Sequence, residues 1–144
     1  MFLKMKKYTI ILKILYYLKL YTIVFYFAAI LWYIRNKVPK KITTKDILEL
    51  FYYNFLNVPT EDCIIIKMTD DELITRCKNN CPILNFSLNF NIDTKQSCKK
   101  ISEGPCKFFL KKLDKNIKFI RNYNHIRPYE DGCEEIITIN KKSS

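Results

Sequence analysis

The chain has 144 residues, a net charge of +11, six cysteines, one histidine and only two glycines. So few glycines leave no Gly-rich phosphate loop, and no GxGxxG, Walker A or GxSxG motif occurs, which excludes the common nucleotide-binding and serine-hydrolase signatures. Lys, Asn, Ile and Tyr are abundant, a bias that fits an AT-rich coding sequence and weakens any argument from basicity alone.

Residues 1–13 form a short basic tip. Leu20 to Ile34, LYTIVFYFAAILWYI, then runs without a charge, and back to Ile14 the only interruption is Lys19. At about 1.5 Å rise per residue the stretch 14–34 reaches about 31 Å as a helix, and a bilayer core is about 30 Å thick. Lys19 can carry its ammonium to the headgroups on its apolar stem. Tyr16, Tyr17 and Tyr21 at one end and Trp32 and Tyr33 at the other lie where interfacial aromatics belong. We therefore expect a transmembrane helix at 14–34 in contact with a lipid bilayer. A cleaved signal peptide is the competing reading. Ala28-Ala29 offers small residues, but Leu31-Trp32-Tyr33 makes a poor exit.

Residues 35–59 read as a juxtamembrane link and an amphipathic helix. Arg35 to Lys41 is basic and broken by Pro39. Thr44 suits a helix N-cap, with Asp46 in the first turn where the helix dipole favours a carboxylate. Ile47, Phe51 and Phe55 then share a stripe, and the helix runs from Asp46 to Leu56 before Pro59.

Residues 60–144 read as one cysteine-containing domain. Cys63 to Met68 is β-branched and strand-like, and Thr69 to Glu72 is a solvated turn. The alternation in Ile83 to Asp93 predicts a strand with Leu84, Phe86, Leu88, Phe90 and Ile92 inward. Asn85-Phe86-Ser87 on its wet face is an N-glycosylation sequon, so Asn85 is a candidate modification site. Thr94 to Glu103 is polar. Gly104-Pro105 opens a second helix with Pro105 at its first position. That helix either continues through Ile117 to Tyr123 or gives way there to a strand. After an Arg127 to Gly132 turn, Cys133 begins the last strand, and residues 141–144 fray. The fold class expected is α+β: a single N-terminal transmembrane helix followed by a small disulfide-stabilised domain of helices and strands.

Cys63, Cys77, Cys81, Cys98, Cys106 and Cys133 all follow the apolar helix. An even set in a small domain beyond an anchor predicts three disulfides, with connectivity open among 15 pairings. Zinc is disfavoured because Cys77-x3-Cys81 and Cys98-x7-Cys106 lack paired-ligand spacing. No CxxC occurs, and Cys133 with His125 is a weak nucleophile–base pair, so catalysis, metal and cofactors are not expected. His125 reads as a loop histidine. The basic run Lys99 to Arg121 reads as a solvated helix face, so nucleic acid is not the expected partner.

Lysines 4, 6, 7, 13 and 19 precede the apolar run, and Arg35, Lys37, Lys40, Lys41 and Lys45 follow it, so charge alone leaves its orientation near a tie. Oxidised cysteines would decide for a cytosolic N-terminus and a domain outside or in a lumen.

The plan of a cytosolic tip, one N-terminal anchor and a small mixed domain with an even cysteine set resembles small envelope proteins of large DNA viruses. Examples are components of the poxvirus entry–fusion complex and the baculovirus oral infectivity factors. The resemblance implies a virion-envelope subunit that assembles with other membrane proteins in a hetero-oligomeric complex. Two other function classes remain open: a cytosol-facing, membrane-tethered domain binding nucleic acid or anionic surfaces, and a small secreted enzyme or inhibitor.

Overall fold

The computed structural model describes the backbone of residues 2–140 and side chains from residue 13 to 140. The side chains of residues 1–12, most of the basic tip, and the expected fraying of 141–144 lie outside that range. Within it the chain is a mixed α+β structure: a long N-terminal helix, a four-stranded antiparallel sheet and shorter helices.

Helix α1 spans Phe2–Arg35. The next helix begins as α2, Thr44–Ile47, and continues as a π-helical segment, Leu48–Phe55. Its N-cap is Thr43 rather than the expected Thr44. Thr43 and Asp46 bond reciprocally as a capping box, while the Thr44 hydroxyl instead donates to the Thr69 carbonyl at 2.6 Å. The π-helical winding shows in the Leu56 N–H reaching the Phe51 carbonyl at 2.9 Å. Asn57, at φ 52°, then ends the segment in the left-handed conformation that Asn tolerates.

Strands β1 (Cys63–Met68), β2 (Glu72–Cys77), β3 (Ile117–Arg121) and β4 (Cys133–Ile139) pair in the order β1-β2-β4-β3. The expected strands at Cys63 and Cys133 are present, and Ile117 opens a strand rather than prolonging the helix. Three further helices are α3 (Pro82–Asn89), α4 (Thr94–Ile101) and α5 (Glu103–Leu113).

The strand expected over Ile83 to Asp93 is a correction: these residues form α3 and its C-terminal turn. Pro82 sits in its first turn, where a missing N–H costs nothing. Asn91, at φ 51°, closes the turn, with the Ile92 N–H on the Ser87 carbonyl at 2.8 Å. Phe86 is buried and packs with Leu18 and Ile101, while Leu88 and Phe90 are exposed. Pro105 occupies the third rather than the first position of α5, still within the turn whose N–H groups have no helical partner.

Period two sends Leu73, Thr75, Cys77, Phe119, Ile137 and Ile139 to one face of the sheet, where α5 and the π-helical segment cover them. Phe109 is the hub of this core. Its ring stacks on Phe55 at 4.1 Å, meets Trp32 edge-on at 4.9 Å and is fully buried. Burying a side chain of this size stabilises by about 1.5–3 kcal/mol.

Candidate functional site

Three features stand out for function: the two faces of α1, the uncovered face of the sheet, and the cysteine cluster.

Within α1, Lys13–Arg35 is a 23-residue stretch long and apolar enough to cross a membrane. Its two faces differ. Leu18, Thr22, Phe25, Ala29 and Trp32, at helical spacing, lie against the domain. The Thr22 hydroxyl reaches the Lys100 carbonyl at 3.1 Å, the Tyr33 hydroxyl donates to the Phe109 carbonyl at 2.6 Å, and Trp32 Nε1 donates to Asn54 Oδ1 at 2.6 Å. Gly104 permits the approach of α5, since a Cβ there would stand 2.5 Å from the Tyr26 hydroxyl. The opposite face carries Tyr16, Leu20, Ile23, Phe27, Ile30 and Ile34, all exposed, with Ile34 at 75%. Spacings of four and three make this one continuous apolar stripe.

The sheet is covered on one side only. On the other, Ile74 faces Ile136, which faces Ile120, in one row across β2, β4 and β3. Ile120 at one edge is 57% exposed and Ile64 at the other is 41% exposed. A charged row borders them, with Arg76 Nε 2.7 Å from Glu134 Oε2.

All six cysteines are thiols in this structure, so the three expected disulfides are not among its bonds. The fold does gather them. Cys63, Cys77 and Cys133 are direct register neighbours across β1, β2 and β4. Cys98 on α4 lies within electrostatic reach of Cys81 and Cys133, and Cys106 on α5 within reach of Cys98. Burial pushes the Cys98 and Cys106 thiols up to about 12. At neutral pH these thiols are protonated, the reverse of an activated nucleophile.

Beside them lies a buried polar network that the sequence reading missed. Arg121 bonds Glu135 through Nε at 3.0 Å and donates from Nη1 to the Ser102 hydroxyl at 2.6 Å. The Tyr52 hydroxyl donates to Glu135 Oε2 at 2.9 Å and accepts from Thr75 at 2.8 Å. Burial, then Glu135, raises the Tyr52 pKa and keeps its phenol neutral. Burial works against the Arg121 charge, but the Glu135 carboxylate outweighs it and holds the guanidinium protonated. Arg121 is thus no part of the solvated basic face expected over Lys99 to Arg121. Each member is hydrogen-bonded within the core, which suits the network to fixing the fold.

Asn85 is exposed on α3 and donates to Asn80 Oδ1 at 2.8 Å. Ser87 of the same sequon is fully buried, with its hydroxyl on the Ile83 carbonyl at 2.8 Å. His125 Nε2 lies 3.2 Å from Asp131 Oδ1. Among the described residues no group of three His, Cys, Asp or Glu side chains is placed to hold a metal ion.

No protein family matches this chain, and neither does any curated protein or solved structure.

Proposed function

We propose that this chain is a non-enzymatic, single-pass membrane protein whose domain, across the bilayer from its N-terminus, binds other membrane proteins. The observation that carries the binding reading is the uncovered isoleucine row Ile74–Ile136–Ile120. Its complement is a partner with an apolar strip flanked by charges that answer Arg76, Glu134 and Lys118. The envelope subunits named above supply the kind of assembly in which such a face is used.

The membrane reading rests on the apolar stretch Lys13–Arg35. Lys99 and Lys100 follow directly after Cys98 on α4, beside Thr22. Carrying a lysine to the bilayer centre costs about 2.5–3.5 kcal/mol on insertion scales, so α4 cannot accompany α1 into lipid. Spanning therefore separates the first part of the stretch from α3 and α4. Trp32 and Tyr33 pack in the domain core, and in this reading they mark the interface end of the span, where aromatics are favoured.

A photo-crosslinking residue at position 120 of the full chain, activated in intact membranes, tests the binding face. A protein adduct of discrete mass that disappears with Ile136→Asp supports it. A position 120 that forms no protein adduct contradicts it.

A further inference from the structure

We infer that Cys63 and Cys77 are joined by a disulfide that closes the β1–β2 hairpin, and that Cys133 pairs only within the group of Cys81, Cys98 and Cys106. The inference rests on the proposed placement of the domain across the bilayer from the N-terminus, outside or in a lumen where thiols oxidise, and goes beyond it by naming the bond.

Cys77 has two cysteine neighbours in register, Cys63 on β1 and Cys133 on β4. The ladder distinguishes them. The Lys78 N–H donates to the Asp62 carbonyl at 2.8 Å, one step outside the Cys63/Cys77 pair. Hydrogen-bonded and non-hydrogen-bonded pairs alternate along an antiparallel ladder, so Cys63/Cys77 is a non-hydrogen-bonded pair, the class whose side chains stand closer. The other side is fixed independently. The Ile139 N–H donates to the Asp71 carbonyl at 2.8 Å, which makes Asp71/Ile139 a hydrogen-bonded pair. Alternation from there through the unbroken β2–β4 register returns the hydrogen-bonded class at Cys77/Cys133, whose side chains stand further apart.

The sulfurs agree with the backbone. The Cys77 thiol donates to the Cys63 sulfur at 3.7 Å, the one sulfur–sulfur hydrogen bond among the described residues. That bond outweighs the opposing effect of burial, lowers the Cys63 pKa and favours its thiolate as the first nucleophile. The oxidant is a disulfide of the compartment, glutathione disulfide or a protein disulfide. The Cys63 thiolate attacks one oxidant sulfur and expels the other as a thiolate. The Cys77 thiolate then attacks the Cys63 sulfur of this mixed disulfide and expels the second thiolate. The chain loses two protons and two electrons, and the oxidant's disulfide becomes two thiols.

The test is peptide mapping of the full chain, alkylated in isolated membranes and digested with trypsin without reduction. Cleavage after lysine and arginine puts each cysteine on its own peptide: Cys63 on 46–67, Cys77 on 77–78, Cys133 on 122–141. The inference expects 46–67 linked to 77–78, unchanged in Cys133→Ser, and an alkylatable Cys77 in Cys63→Ser. A bond from 77–78 to 122–141, or to any other peptide, overturns the pairing and leaves the membrane placement standing. Six alkylated thiols overturn both.

Discussion

Arg121 and Glu135 face each other across β3 and β4 with Nη2 and Oε1 2.5 Å apart, each side chain only 7% exposed. Tyr52 donates to the second Glu135 oxygen and accepts from Thr75, and Arg121 also donates to Ser102, so β2, β3, β4, the π-helical segment and the start of α5 meet at one ion pair. Removing one partner strands the other charge in the core, at a cost of about 3–5 kcal/mol. Glu135→Gln and Arg121→Met should each lower stability by about that much in denaturant titration. The double replacement Arg121→Met/Glu135→Leu should cost clearly less than the two singles summed, because no unpaired charge remains.

The α1–α5 contact turns on Gly104. Because a Cβ there meets only the mobile end of Tyr26, Gly104→Ala should be accommodated by a small ring movement. Gly104→Leu should push the helices apart. Trp32 is the only tryptophan and is buried beside Phe109, so its emission reports the contact. We expect unchanged emission in Gly104→Ala and a red shift in Gly104→Leu.

Acid should destabilise the domain through Glu134. Asn122 and Arg76 donate to its carboxylate at 2.8 and 2.7 Å and hold its pKa below the ordinary 4.5. A folded pKa below the unfolded one gives a contribution that is present above the unfolded value and lost as pH falls through the folded one. At Glu103 burial pulls upward, but the bonds from Lys107 and Tyr123 prevail and give the same sign. Thermal midpoints should therefore fall as pH drops below 4.5, with a shallower slope in Glu134→Gln.

On the uncovered sheet face, Ile120 is exposed and Ile136 only half-buried. Ile120→Asp should change stability by no more than about 0.5 kcal/mol, as exposed positions usually do. If the face binds a protein, the same change should abolish co-purification with that partner from detergent-solubilised membranes.

Much of the fold was legible where one periodicity stood alone. In CEEIITI period two put Glu135 with Ile137 and Ile139, while IKFIR fitted helix or strand alike and, as a strand, puts Arg121 with Ile117 and Phe119. The ion pair was therefore foreshadowed by two charges on inward positions, a signal that the basic run around it obscured. Over Ile83 to Asp93 two periods coincided, since Ile83, Phe86 and Phe90 fit a helix as well as the alternation fits a strand. Pro82 and Asn91, at the two ends, resolve it toward α3. Strand β2 was missed because Arg76 and Thr75 break up a short apolar run, and only its central position in the sheet makes it a strand. The grouping of the cysteines depends on strand register, which spacing along the chain does not encode.

Membrane tethering is tested most directly on the full chain made in sealed vesicles, by alkaline carbonate extraction of one aliquot and protease treatment of a second, unextracted one. The account predicts that the chain stays with the membrane pellet and that residues beyond 35 are digested only after detergent opens the vesicles. Release of the intact chain into the carbonate supernatant would contradict it.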